Sequence, residues 1–184
     1  MAEDVCPFWV GYLLASPIRK LMQNPVKILT PYVKNNMTVL DIGSAMGFFS
    51  LPLTEMVGSN GKVICVDLQE KMLQRLKVRA QKKNLLERIE TRLCNQDSLC
   101  LNGLNNKIDF ALAFAMVHEV PDKETFFKEV FSSLKNKGQL LVAEPAGHVS
   151  AEDFQKTVSI AKATGFNIES NPKISKSHSV LLQR

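Results

Sequence analysis

The residues Val39-Leu40-Asp41-Ile42-Gly43-Ser44-Ala45-Met46-Gly47 run an apolar segment straight into a glycine turn. At Gly43 the backbone is free to turn sharply and a ligand can approach it closely, and Gly47 permits tight contact between a following helix and the strand. Asp67 stands 20 residues beyond Gly47, at the end of the next apolar run, Val63-Ile64-Cys65-Val66. A carboxylate at that spacing is placed to accept hydrogen bonds from the hydroxyls of a ribose. Taken singly, a glycine turn is an ordinary strand-to-helix connection and Asp67 an ordinary helix cap. Together they read as a nucleoside-binding pair.

A second group of side chains suits acceptor chemistry. His118, Glu119, Glu144 and His148 follow the carboxyl ends of two later apolar runs, Ile108–Phe114 and Gln139–Ala143. An imidazole titrates near pH 6.5 when unperturbed, so His118 can serve as a base. The competing readings are a helix-start hydrogen bond for His118 and an exposed loop position for His148. Histidine with carboxylate also suits zinc or iron, but the spacing matches no ligand motif and no metal is expected. The four cysteines, at 6, 65, 94 and 100, contain no CxxC pair and read as free thiols in a reducing compartment.

The elements that must hold these residues alternate along the chain. Asn24-Pro25, like Ser16-Pro17, places a capping residue before a proline at a helix start. A strand over 38–40 feeds a helix over 48–57. A strand over 63–66 feeds a helix over 69–83, with Met72, Leu73, Leu76 and Ala80 at helical spacing. Strands over 89–94 and 108–114 follow, then an amphipathic helix over 123–134 and a strand over 139–143. Ser150 with Asp153 forms a capping-box pattern for a helix that stops at Gly165. The last two strands, 166–168 and 179–182, have too short a connection for a parallel crossover, which takes about a dozen residues. The alternation predicts a doubly wound, mainly parallel sheet closed by an antiparallel hairpin.

Composition bounds the function. At 184 residues, one domain is expected, with residues 1–36 as a helical cover or lid and 37–184 as the core. A formal charge of +5 is too small to argue for nucleic acid. The start, MAEDV, lacks the basic region of a signal peptide, and Phe8–Ala15 is far shorter than the ~18 residues of a membrane helix. Both features point to the cytoplasm and away from a membrane partner. The basic stretch Lys71–Arg92 reads as a solvated helix face.

Residues 37–184 resemble the class I S-adenosylmethionine-dependent methyltransferases, in pattern the small ubiquinone/menaquinone and arsenite group. Asp41, Gly43 and Gly47 match the family's acid and alternate glycines. Ala45 replaces the middle glycine and is strained if its backbone takes a positive φ. Asp67 matches the ribose-binding acid, and Asn95-Gln96-Asp97-Ser98 the segment whose acid lies near the adenine amine. Asp109 opens the fourth strand, and Val117-His118-Glu119-Val120-Pro121-Asp122 follows it.

The resemblance implies a Rossmann-like α/β fold with seven strands, S-adenosylmethionine as cofactor, and methyl transfer to an acceptor that the sequence does not name. A small molecule is the expected acceptor, because no large insertion interrupts the strands. The implied cofactor site has Asp41 orienting the loop, Ser44 and Ala45 presenting backbone groups to the methionine portion, and Leu68 and Gln69 flanking the adenosine. Asp97 and Ser98 lie by the adenine, and Ala113, Phe114 and Ala115 form the floor near the sulfonium. His118, Glu119 and Glu144 are the implied catalytic candidates. Such an enzyme mainly aligns its acceptor for in-line attack, with a base where the acceptor must lose a proton. Two other readings stay open. A nicotinamide-dependent oxidoreductase would carry the fuller G-x-G-x-x-G turn, where this chain has Ala45 and Ser50. A non-catalytic adenosyl-cofactor-binding module would keep the first half of the site and make no use of the second.

Overall fold

The computed structural model describes residues 23–184. The expected helix start at Ser16-Pro17, the aromatic cover and Cys6 lie outside the described residues. The first described helix, α1, is Pro25–Leu29, and Asn24 caps it by accepting from Lys27 N at 3.3 Å, with Pro25 in the first turn.

Strand β1, Thr38–Ile42, leads through the glycine turn to α2, Ser50–Met56. Strand β2, Lys62–Asp67, leads to α3, Glu70–Lys82, whose Met72, Leu73, Leu76 and Ala80 are buried as their spacing requires. Strand β3 is Ile89–Leu93 and β4 is Ile108–Phe114. After β4 comes a short 3-10 turn, Val117–Glu119, and then α4, Lys123–Ser133, capped by Asp122. Strand β5, Leu134–Pro145, helix α5, Ala151–Ala163, and strands β6, Asn167–Ser170, and β7, Ser177–Gln183, complete the chain.

The seven strands form one sheet in the order β3-β2-β1-β4-β5-β7-β6. The first five pair in parallel; β7 pairs antiparallel with both β5 and β6. Helices cover both faces, so the central strands are apolar on both sides: Phe110, Ala111, Leu112 and Ala113 are all fully buried. One face packs under α4 and α5 with Phe126, Phe127, Val130 and Phe154. The other packs under the segment 28–57 with Leu29, Phe49 and Leu53. Asp109 joins β1 to the far end of β4, accepting from Thr38 N at 2.8 Å and from Lys135 Nζ at 2.6 Å.

Three local expectations change. The fifth strand starts at Leu134, because α4 ends one residue earlier and the chain pairs at once with Ile108 before a register shift. Phe166 joins no strand; it is buried edge-on against Phe127 and Phe131, and β6 begins one residue later. At α5 Ser150 Oγ accepts from Asp153 N at 3.1 Å and donates to the Asp153 carboxylate at 2.8 Å. The Asp153 carboxylate is thus spent on the Ser150 hydroxyl and, at 3.0 Å, on Lys156, whereas a capping-box glutamate reaches back to the backbone N–H. Among the described residues no helix is long and apolar enough to cross a membrane.

Phe127 is fully buried between Phe126 and Phe166. Phe127→Ala is expected to cost about 3–5 kcal/mol of stability, read as a lower midpoint in urea unfolding. A loss under about 1 kcal/mol would show that this cluster does not carry the core.

Candidate active site

The loops after the carboxyl ends of β1 to β5 surround a cavity of about 690 Å3, within the usual small-molecule range. Its first wall is the glycine turn. Gly43 N and Ser44 N both donate to Val66 O, at 2.9 and 3.1 Å, which ties the turn to the end of β2. Gly43 takes φ +71°, and a Cβ there would lie 3.0 Å from Met116 Cγ, so a side chain has neither the backbone nor the space. Ala45 takes φ +46°, the strained conformation that its replacement of glycine threatened.

Asp67 holds that strained residue in place. Its Oδ2 accepts from Ala45 N and its Oδ1 from Gln69 N, both at 2.8 Å. Burial pushes the carboxyl above its usual range, and the two N–H bonds pull it partly back. Two accepted bonds leave two of the four lone-pair positions for a ligand. Behind the turn, Asp41 accepts from Ser50 Oγ at 2.5 Å and so fastens the loop to α2. Ser44 Oγ is buried and has no hydrogen-bond partner among the described residues, although the residue lies on the cavity wall. A buried hydroxyl of that kind can be completed by an ordered water or a bound molecule.

The loop after β3 is built by Asn95, whose Oδ1 accepts from Asp97 N at 2.9 Å and Ser98 N at 2.8 Å. Leu99 N donates to Glu129 on α4 at 2.8 Å, which joins this loop to the opposite wall. Cys94 also lines the cavity; burial, then Asp67 and Cys100, push its thiol up to about 12, so it stays protonated at neutral pH. Cys65, Cys94 and Cys100 are free.

The wall after β4 is organised by Glu144, which is 2% exposed. Its Oε1 accepts from Met116 N at 3.1 Å and Val117 N at 2.9 Å, and its Oε2 from His118 N at 3.4 Å and from the His118 ring at Nδ1. The helix-start bond considered for His118 is therefore made by Glu144. The hydrogen bond to Glu144 raises the His118 pKa above 6.5; burial and Lys123 oppose it, and the charges of Glu144 and Glu119 add to it. A raised histidine contributes stability that is fully present below about pH 6.5 and is lost as pH climbs through the folded value.

Most expected residues meet on one cavity: Asp41, Gly43, Ser44, Ala45, Asp67, Leu68, Gln69, Asp97, Ser98, Phe114, Ala115, His118, Glu119 and His148. Three stand behind the wall. Gly47 packs against α3, where a Cβ would lie 3.2 Å from Leu76 Cγ. Ala113 is fully buried inside the sheet. Glu144 has all four lone-pair positions engaged. Ser44 and Ala45 are expected to present backbone groups to a ligand; their N–H groups are engaged by Val66 O and Asp67, and the Ser44 hydroxyl has no partner among the described residues. The sequence reading missed Phe48, Phe49, Met116 and Glu129, which also line the cavity. An acid set against the apolar face of α4 was the available signal for Glu129.

A sequence profile of the family described as "Methyltransferase domain" matches residues 33–178. A demethylmenaquinone methyltransferase of Oceanobacillus iheyensis is 30% identical over 107 residues, covering 58% of this chain and 44% of that protein. A ubiquinone/menaquinone biosynthesis C-methyltransferase of Salmonella arizonae is 29% identical over 112 residues, covering 61% and 44%. The match thus spans less than half the length of these curated relatives. The crystal structure of a SAM-dependent methyltransferase from Aquifex aeolicus superposes with a TM-score of 0.87 at 24% identity, covering 97% of this chain and 99% of that one.

Ala45→Gly removes the side chain from a left-handed residue. Relief of about 1–2 kcal/mol of strain outweighs a glycine entropy cost of about 0.5–1 kcal/mol, so the variant is expected to be more stable by roughly 0.5–1 kcal/mol. Thermal melting checks this, and a lower midpoint would mean that the alanine methyl packs favourably enough to offset its backbone.

Proposed function

The chain belongs to the methyltransferase-domain family, and from that premise we propose that it binds S-adenosylmethionine in the cavity above β1–β5 and methylates a small-molecule acceptor. Asp67 carries the reading. It ends β2, faces the cavity, fixes the glycine turn, and keeps two acceptor positions for the ribose hydroxyls. The unpartnered Ser44 hydroxyl supports it, because a methionine carboxylate or amine supplies the partner that the buried Oγ lacks.

When bound, this cofactor supplies an activated methyl group, whose S–C bond breaks as a lone pair of the acceptor forms the new bond. The protein's own contribution is placement. Asp41 and Asp67 hold the turn from both sides; Leu68 and Gln69 would border the adenosine, and Asp97 and Ser98, on the same cavity wall, would lie by the base. Phe114 and Ala115 would form the floor, with the Phe114 ring centroid 4.5 Å from that of Phe49, so this side of the cavity is apolar. A cavity of about 690 Å3 bordered by turns 115–122 and 145–148 suits a small acceptor rather than a folded one.

Calorimetric titration with S-adenosylhomocysteine, with NAD as control, tests this reading. The adenosyl ligand alone is expected to bind, and Asp67→Ala to weaken it about 100-fold, the equivalent of two hydrogen bonds to a charged group. Far-ultraviolet circular dichroism of the variant separates lost contacts from lost fold. Binding of NAD in place of the adenosyl ligand would move the protein to the oxidoreductases.

A further inference from the structure

The cofactor cradle leaves one piece of the cavity wall without a task, the turn after β4. Glu144 is buried, and its two oxygens receive three backbone N–H groups and the His118 ring. A carboxylate so engaged has no lone pair left for a ligand or a proton, so its work is done through the groups it holds. A carboxylate that accepts from Nδ1 fixes the imidazole as the Nδ1–H tautomer. The free lone pair then belongs to Nε2, on a side chain that lines the cavity and is 31% exposed. Nε2 also lies 3.9 Å from Glu119 Oε1, so a proton arriving there is paired at once.

We infer, resting on the methyltransferase reading, that Glu144 and His118 form a proton-accepting dyad. Glu144 is the positioning residue, Nε2 of His118 takes the acceptor's proton, and the acceptor is methylated at an O–H or N–H group that carries no negative charge. The proton passes from the heteroatom to Nε2, and the electron pair of the broken bond stays on the heteroatom, which is then the nucleophile. The imidazolium rests between Glu144 of β5 and Glu119 of its own turn, with Lys123 of α4 as the opposing charge, and returns its proton to water at its exposed edge. An acceptor that is already a free nucleophile, such as a thioether or a tertiary amine, has no use for such a base.

The charge limit comes from the rest of the wall. Asp41, Asp67, Asp97, Glu119, Asp122 and Glu129 line the cavity, and no lysine or arginine does so among the described residues. The chain as a whole carries +5, so this is a local concentration of negative charge. A carboxylate or phosphate acceptor enters against that field, whereas a neutral hydroxyl or an ammonium does not.

The test uses the full chain saturated with S-adenosylhomocysteine, its binding first established by calorimetry. Nitrogen-15 spectra of the histidine rings are recorded across pH for wild type and for Glu144→Gln. The expected result is an Nδ1–H tautomer for His118 in the wild type and a midpoint that falls towards that of free imidazole in the variant. An Nε2–H tautomer, or a midpoint that does not move, overturns the dyad. Incubation with carbon-13-methyl S-adenosylmethionine and a small-molecule extract of the source cells reads the acceptor class from the methyl carbon shift. O-methyl or N-methyl products that are lost in His118→Ala support the inference. S-methyl or C-methyl products, products retained in His118→Ala, or no labelled product from protein that binds S-adenosylhomocysteine each overturn the acceptor class. Failure of S-adenosylhomocysteine to bind at all is the distinct failure of the methyltransferase reading.

Discussion

Between β1 and β4 the chain reverses the direction in which it lays down strands. From β1 it builds outward to β2 and β3, then returns to the other side of β1 for β4, β5 and the hairpin. Parallel strands send all their outgoing loops to one edge of the sheet, so the loops on either side of that reversal diverge and leave a crevice. The cavity lies there, and its walls come from both halves of the chain: residues 43–49, 67–72 and 94–99 on one side, 114–129 and 145–148 on the other. Every polar device in the site is a means of holding one of these loops at the crevice.

Two carboxylates do most of that holding, and they do it differently. Asp67 stands at the end of a strand and divides its bonds between two loops, with acceptor capacity left over. Glu144 stands at the end of β5 and is consumed by a single turn. Burying a carboxylate costs several kcal/mol unless donors surround it, and in each case backbone N–H groups are the donors. Loops whose amides are spent in this way are rigid before any ligand arrives, which is what alignment of two reactants requires.

The parallel core was legible in the sequence because its signals are strong and local. Val63–Val66 and Ile108–Phe114 are apolar on both faces, and the terminal connection is too short for a crossover. Gly43 and Asp67 were legible because their spacing follows from strand and turn geometry, whereas Asp41 was singled out by the family resemblance. The assignment of Gly47, Ala113 and Glu144 to the wall was not reliable for a physical reason: a residue at the end of a strand can face the cleft or the packing behind it, and burial against Leu76 or saturation by N–H groups is a tertiary fact. Phe49 and Glu129 were missed because helix positions beside the cavity look like core and surface positions in sequence. Phe166 reads as a strand residue by its type, yet two aromatic partners take it into the helical layer.

A Cβ at Gly43 would meet Met116 Cγ at 3.0 Å, so the turn after β1 and the turn that Glu144 anchors lie side by side across the crevice. A side chain in place of Gly43 would press on the Met116 side chain. Each turn thus limits the room left to the other. Thr125 of α4 and His148 beyond β5 line the same cavity from outside these two turns. Substitutions at those positions would change the shape of the cavity while leaving Gly43, Met116 and Glu144 in place.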